Sequence, residues 1–165
     1  MIPTAAADDP AELRRILQDC RTIAVVGLSA EWHRPSYFAA KYMQAKGYRI
    51  VPVNPRYPAI LGETCFARLE DIPFPVDMVD VFRKPADLPP IAASAVAVGA
   101  RCLWQQLGVA NLEADAIARA GGLASVMDRC GGDLSLSGWP ALLVFDPADG
   151  DQAGGRPRRA VQARA

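Results

Sequence analysis

The residues Ile23-Ala24-Val25-Val26 run without a polar interruption into Gly27. A strand with one wet face alternates apolar and polar side chains, and this run offers water nothing on either side. It reads as a strand buried on both faces, as in a parallel sheet whose helices cover it above and below. The rest of the chain has to supply those helices and the neighbouring strands.

It does so in alternation. Asp8 or Asp9 can cap a first helix that has Pro10 at its first position, and Leu13, Ile16 and Leu17 give that helix an apolar stripe. A loop from Leu28 to Pro35 leads to a second helix starting near Ser36 and closed by Gly47. Arg49 to Val53 is a second strand, stopped by Asn54-Pro55. Residues 56–76 carry Pro58, Gly62, Pro73 and Pro75 and offer at most a short helix from Ala67 to Asp71. Met78 to Phe82 is a third strand, and a helix follows from about Leu88 to Val98 with Pro89 and Pro90 in its first turn. Arg101 to Trp104 is a fourth strand. Asn111 caps a helix from Leu112 to Ala120, which Gly121 and Gly122 end, and Leu123 to Met127 is a fifth strand. Crossovers of this length join parallel strands by right-handed connections. The expected fold is α/β: a doubly wound, mainly parallel, five-stranded Rossmann-like sheet in the order 3-2-1-4-5 along the chain. Residues 1–138 are expected to form this domain. Residues 139–165 form a C-terminal extension, disordered from about residue 146, where Gly, Pro, Asp and Arg displace bulky apolar residues.

Charge narrows the partners. Eighteen Lys and Arg balance 18 Asp and Glu, so nothing in the totals asks for nucleic acid or a membrane surface. The N-terminal stretch lacks the basic and apolar regions of a signal peptide, and no apolar run approaches the ~20 residues of a membrane helix. Cys20, Cys65, Cys102 and Cys130 form no CxxC pair, so zinc is not expected. The expected compartment is the cytoplasm, with these thiols reduced.

In doubly wound sheets ligands bind beyond the carboxyl ends of the strands. After the first strand come Gly27-Leu28-Ser29 and then Arg34-Pro35-Ser36. A glycine there lets a phosphate approach the backbone, and the helix N-terminus at Ser36 offers free N–H groups. The same residues also suit a plain strand-to-helix turn with a capping serine. A dinucleotide site wants GxGxxG, but the second and third glycine positions hold Ser29 and Trp32. It also wants an acidic residue after the second strand, where Pro52-Val53-Asn54-Pro55 stands. That segment is either a rigid wall for a ligand or an ordinary strand stop. Val81-Phe82-Arg83-Lys84-Pro85 offers an apolar surface and two cations, or simply a wet helix lead-in. Trp104, Gln105 and Gln106 end the fourth strand. Asp128-Arg129-Cys130 ends the fifth, as a site edge or as a structural cap beside a buried thiol. His33 is the only histidine, so a Ser-His-Asp or Cys-His-Asn arrangement has only that loop residue to build on. No P-loop is present, and neither a catalytic nor a metal-binding set emerges.

Taken in order, six segments resemble the small bacterial CoA-binding domain proteins, relatives of the CoA-binding domain of the succinyl-CoA ligase α-subunit. They are IAVVGLS at Ile23–Ser29, RPSY at Arg34–Tyr37, GYRIVPVNP at Gly47–Pro55, VDMVDVFRKP at Val76–Pro85, WQQLGV at Trp104–Val109 and MDRC at Met127–Cys130. The resemblance spans roughly residues 10–132 and implies coenzyme A or an acyl-CoA as ligand. It implies phosphate contacts from Gly27, Leu28, Ser29, Arg34 and Ser36, with Pro52, Val53, Asn54 and Pro55 flanking the nucleotide. It further implies that Val81, Phe82 and Arg83 line the groove and that Trp104 and Gln106 lie on the pantetheine side. Position 105, usually apolar in that family, is Gln105 here. Relatives that do chemistry carry further domains, so the role implied is non-catalytic binding, sensing or storage of the ligand; a monomer, a homodimer or a partner enzyme would each fit. Two other readings stand beside it: an NAD(P)-binding oxidoreductase or redox sensor, and a thiol-regulated protein forming a Cys130–CoA mixed disulfide.

Overall fold

The computed structural model describes residues 10–106 and 110–127 of the 165-residue chain. The predicted helix caps at Asp8 and Asp9, the segment around Cys130 and the C-terminal extension lie outside the described residues.

The elements follow the expected alternation. Helix α1 (Pro10–Asp19) precedes strand β1 (Thr22–Val26), and α2 (Pro35–Ala45) leads to β2 (Arg49–Val53). A two-stranded hairpin, β3 (Ala59–Ile60) and β4 (Glu63–Thr64), lies within the connection to β5 (Met78–Val81). Helix α3 (Leu88–Ala97) joins β5 to β6 (Cys102–Gln105), and α4 (Leu112–Ala120) joins β6 to β7 (Ala124–Met127). The main sheet is parallel throughout.

The sheet has an apolar layer on each face, as the unbroken run at β1 requires. Ile23 and Val25 pack with Ile16 and Leu17 of α1 and with Ala40 and Met43 of α2. Ala24 and Val26 turn the other way, towards Leu88, Ala92 and Ala95 of α3 and Ala114 and Ala118 of α4. Small side chains on α3 and α4 let both helices lie close to the sheet. Asn111 caps α4 as expected, its side-chain oxygen accepting from the Ala114 N–H at 3.0 Å.

The strand order corrects one expectation. The five strands run β2-β1-β5-β6-β7, which is 2-1-3-4-5 along the chain and not 3-2-1-4-5. The reason lies in Pro52. The Val53 carbonyl turns inward and accepts from the Gly27 N–H at 2.9 Å, while that of Pro52 turns outward and accepts from the Phe66 N–H at 3.0 Å. The nitrogen of Pro52 faces outward with its carbonyl. In a central strand it would deprive a neighbour of one ladder bond, so a strand holding this proline belongs at the edge. Short pairing with Phe66 covers that edge.

The hairpin was not anticipated. Its turn, Leu61-Gly62, has φ of 55° and 75°, the two-residue geometry that usually announces itself as Asn-Gly. Leucine hides that signal, and Gln44 of α2 steadies the turn by donating to the Leu61 carbonyl at 3.2 Å.

At the amino-terminal ends of the strands, Asp77 joins neighbours together. Its side chain accepts from the backbone N–H groups of Arg21 (2.8 Å) and Thr22 (3.0 Å), and its carbonyl accepts from Arg101. Asp77→Ala leaves two donors at the start of β1 without their partner. The expected cost is about 1.5 kcal/mol, read by thermal denaturation as a Tm lowered by roughly 5 °C. An unchanged Tm would show that water replaces this carboxylate at no cost.

Candidate functional site

From β1 the chain crosses to β2 on the α2 side, and from β5 it crosses to β6 on the α3 side. The adjacent pair β1 and β5 is therefore the point where the winding reverses, and a crevice must open beyond their carboxyl ends. A cleft of about 950 Å³ lies there. One wall is Gly27, Ser29 and the start of α2 at Pro35 and Ser36; the other is Phe82 to Pro85 with Asp87.

The walls approach each other at Gly27. Its φ is 85°, and a side chain there would press on the Phe82 carbonyl and the Arg83 side chain. Only glycine fits, both for the turn and for the space. The loop beyond it is bound to itself: Ser36 Oγ accepts from the Ser29 N–H, and Ser29 Oγ from the Glu31 N–H, each at 3.1 Å. Both hydroxyl protons stay available to a ligand. Asn54 closes the base by donating to the Leu28 carbonyl at 3.0 Å while its Oδ1 accepts from the Arg56 N–H at 3.0 Å.

Charge gathers on the rim. Arg34, Arg56, Arg83 and Lys84 face Glu31 and Asp87, so the cleft has a cationic excess on a chain with none overall. Arg34 Nε lies 2.7 Å from Glu31 Oε2, and Arg83 Nη2 lies 3.1 Å from Asp87 Oδ2. The Arg34 guanidinium holds the Glu31 carboxyl below the usual range. Among the described residues, Arg56 and Lys84 form no ion pair. His33 is exposed and stands 3.6 Å from Glu31.

The floor is uncharged at its surface and polar beneath. Gln106 lines the cleft and is 2% exposed; its Nε2 donates to Asp80 Oδ1 at 2.6 Å. Asp80 is fully buried on β5, flanked in register by Val25 and Trp104. Burial pushes its carboxyl up to about 7, partly offset by the bonds from Gln106 and the Val81 N–H. Asp80 Oδ2 and Gln106 Oε1 are buried without a partner among the described residues.

Of the residues expected from the sequence, Gly27, Ser29, Arg34, Ser36, Asn54, Pro55, Phe82, Arg83 and Gln106 meet around this one cleft. Leu28, Pro52, Val53, Val81 and Trp104 are buried and do not line it; Leu28 and Trp104 belong to the core on one face of the sheet and Val53 and Val81 to that on the other. Pro85 of the third candidate segment lines it as well; Glu31, Arg56, Tyr57 and Asp87 also line it and were not anticipated. Arg56 and Tyr57 follow Pro55 directly, and continuing the strand-end segment by two residues would have found them. Gln105, the departure from the family pattern, points elsewhere: its Oε1 accepts from the Asn111 N–H at 2.8 Å and ties β6 to the cap of α4.

Residues 21–132 match the family model described as a CoA binding domain. The chain belongs to that family. A protein of Bacillus subtilis (strain 168), YneT, is 40% identical over 120 residues, covering 73% of this chain and 89% of its own. The solved structure of a hypothetical protein from Pyrococcus horikoshii OT3 is 34% identical, covers 78% of this chain and 90% of that one, and superposes with a TM-score of 0.73. A dinucleotide-forming acetyl-coenzyme A synthetase of Ca. Korarchaeum cryptofilum shares the fold over 63% of this chain and 25% of its own, at 19% identity and a TM-score of 0.56. The rim of the cleft is cationic, and the buried Gln106 that lines it is uncharged. Among the described residues no helix is long and apolar enough to cross a membrane, and no His, Cys, Asp and Glu side chains gather as a metal site.

The raised Asp80 carboxyl makes stability pH-dependent. The unfolded chain ionises Asp80 near 3.8 and the folded chain near 7, so in between the folded state binds the extra proton and loses stability as pH rises. Asp80→Asn removes that loss. Its Tm relative to the unsubstituted protein should climb from about pH 4 to about pH 7 and then level off. A gap constant across this range, in thermal denaturation at successive pH values, would show that Asp80 ionises freely in the fold.

Proposed function

We propose that this chain binds coenzyme A or an acyl-CoA in the cleft between β1 and β5, and that it contributes no catalytic group of its own. The observation that carries the reading is the cleft's division into a cationic rim and a neutral floor at the switch point of a CoA binding domain. Coenzyme A is divided in the same way, into a phosphorylated nucleotide and an uncharged pantetheine arm. Ser29, Ser36, Arg34 and Arg83 are the residues to meet phosphates, with the N-terminus of α2 beside them. Gln106 is the residue to meet the arm. The exposure of His33, and its pairing with Glu31, support a role for it on the rim and not as a general base.

Asn54 weighs against nicotinamide dinucleotides. It stands after β2, where a dinucleotide site holds the ribose hydroxyls with an acidic residue, and its side chain is engaged at both ends by Leu28 and Arg56. The cytoplasm remains the compartment we infer, and residues 1–138 the functional unit. A mixed disulfide of the ligand thiol with Cys130 would be a further property of the same site.

Thermal denaturation with coenzyme A, acetyl-CoA, a long acyl-CoA, NAD, NADP and ATP, each in turn, tests the reading. Coenzyme A at ~100 times its Kd should stabilise by about 2.7 kcal/mol, a rise in Tm of about 8 °C. Arg83→Ala should weaken binding about tenfold, and more salt should weaken the unsubstituted protein in the same direction. A response to NAD or NADP with none to coenzyme A would overturn the assignment.

A further inference from the structure

Asp80 is the one fully buried carboxylate among the described residues of the main sheet, and the packing of the core gives it no purpose. It stands on β5 between Val25 and Trp104, where an apolar side chain would complete the layer. A charge-bearing group in such a place is costly and persists only if something depends on it. Its bond to another side chain goes to Gln106, a residue lining the cleft, and among the described residues Gln106 Oε1 is buried with no partner.

An amide side chain has two ends, one donating and one accepting, and a neighbour that only accepts decides which end it takes. Ionised Asp80 only accepts. In that state Nε2 is drawn down to Asp80, as in its 2.6 Å bond to Oδ1, and Oε1 is turned away. A phosphate oxygen is itself an acceptor and has nothing to offer Oε1, so the group that reaches it must be a donor.

We propose that Asp80 is a positioning residue that holds the Gln106 amide so that its oxygen is the cleft's acceptor for a neutral N–H or O–H donor of the bound molecule. For the identity of that molecule the inference rests on the coenzyme A reading. There the donor is either on the pantetheine arm, with its amides and hydroxyl, or on the adenine amino group. A bound ligand would then satisfy the buried oxygen that the described residues leave without a partner.

The test begins without ligand. NMR of the full chain follows the Gln106 side-chain NH2: its protons should exchange slowly in the unsubstituted protein and in Asp80→Asn, which keeps an acceptor, and quickly in Asp80→Val, which has none. Valine suits the apolar surroundings but takes the acceptor from Gln106 Nε2, so the Tm of Asp80→Val is measured first and binding is compared at a temperature where both proteins are folded. Binding is then measured for coenzyme A, phosphopantetheine and adenosine bisphosphate. Asp80→Val should weaken coenzyme A about tenfold and weaken just one of the two fragments to match, which tells the arm from the adenine; Asp80→Asn should recover most of the loss. Gln106→Leu should reproduce the Asp80→Val pattern. Equal weakening of both fragments, an Asp80→Asn as poor as Asp80→Val, or unaltered Gln106 exchange in Asp80→Val would each overturn the proposal. A protein that binds no coenzyme A at all overturns the ligand reading instead. The ligand-free spectra then decide the positioning role, and unaltered exchange in Asp80→Val rejects it.

Discussion

The contact between the turn after β1 and the turn after β5 is the constraint on which the site depends. Gly27 donates to Val53 on one side, and Phe82 donates to Val26 on the other, so three strand ends are pinned within a few residues of one another. A side chain at position 27 would have nowhere to go but into the Phe82 backbone. Because the two turns meet at their base, the loops above them must diverge, one towards α2 and the other towards α3. The cleft is the space they leave. It follows from the winding reversing at this pair of strands, whatever the ligand.

The fold was largely open to reading because its strands are apolar on both faces and its helices have clear punctuation. Pro10, Asn111, Gly47 and the Gly121-Gly122 pair stand where helices start or stop. What escaped was the lateral order of the strands. Periodicity reports how a strand is covered above and below, and says little about its neighbours to left and right. The lateral clue was Pro52, which forbids a second ladder partner. Read as part of a rigid strand end, it was the right residue put to the wrong use.

The site was legible at the strand ends and less so between them. Gly27, Ser29, Phe82 and Arg83 follow their strands directly, and the topology brings them to one place. Arg56 and Tyr57 lie just past the Asn54-Pro55 strand stop, and a stop signal by itself gives no reason to carry the site beyond it. Polar residues at strand ends proved to be of two kinds. Asn54 spends both ends of its amide on the protein, binding loop to loop. Gln105 and Gln106 each spend one end, on the cap of α4 and on Asp80, and among the described residues the other end has no partner. Sequence cannot separate these, because each is an amide after an apolar run; their places separate them, since Gln106 lines the cleft and Gln105 does not.

The rim shows a related economy. Arg34 and Arg83 each bring their own carboxylate, Glu31 and Asp87, close along the chain. Such exposed pairs add little to stability, since both charges are well solvated apart. They do fix where each guanidinium lies, three or four residues from its anchor. A guanidinium has five donors and a carboxylate occupies two at most, so each arginine can hold its partner and still meet a phosphate. The carboxylates also repel a ligand whose anionic groups fall in the wrong place. An arginine without such a neighbour would attract any anion. Paired, it favours one that arrives where the free donors point.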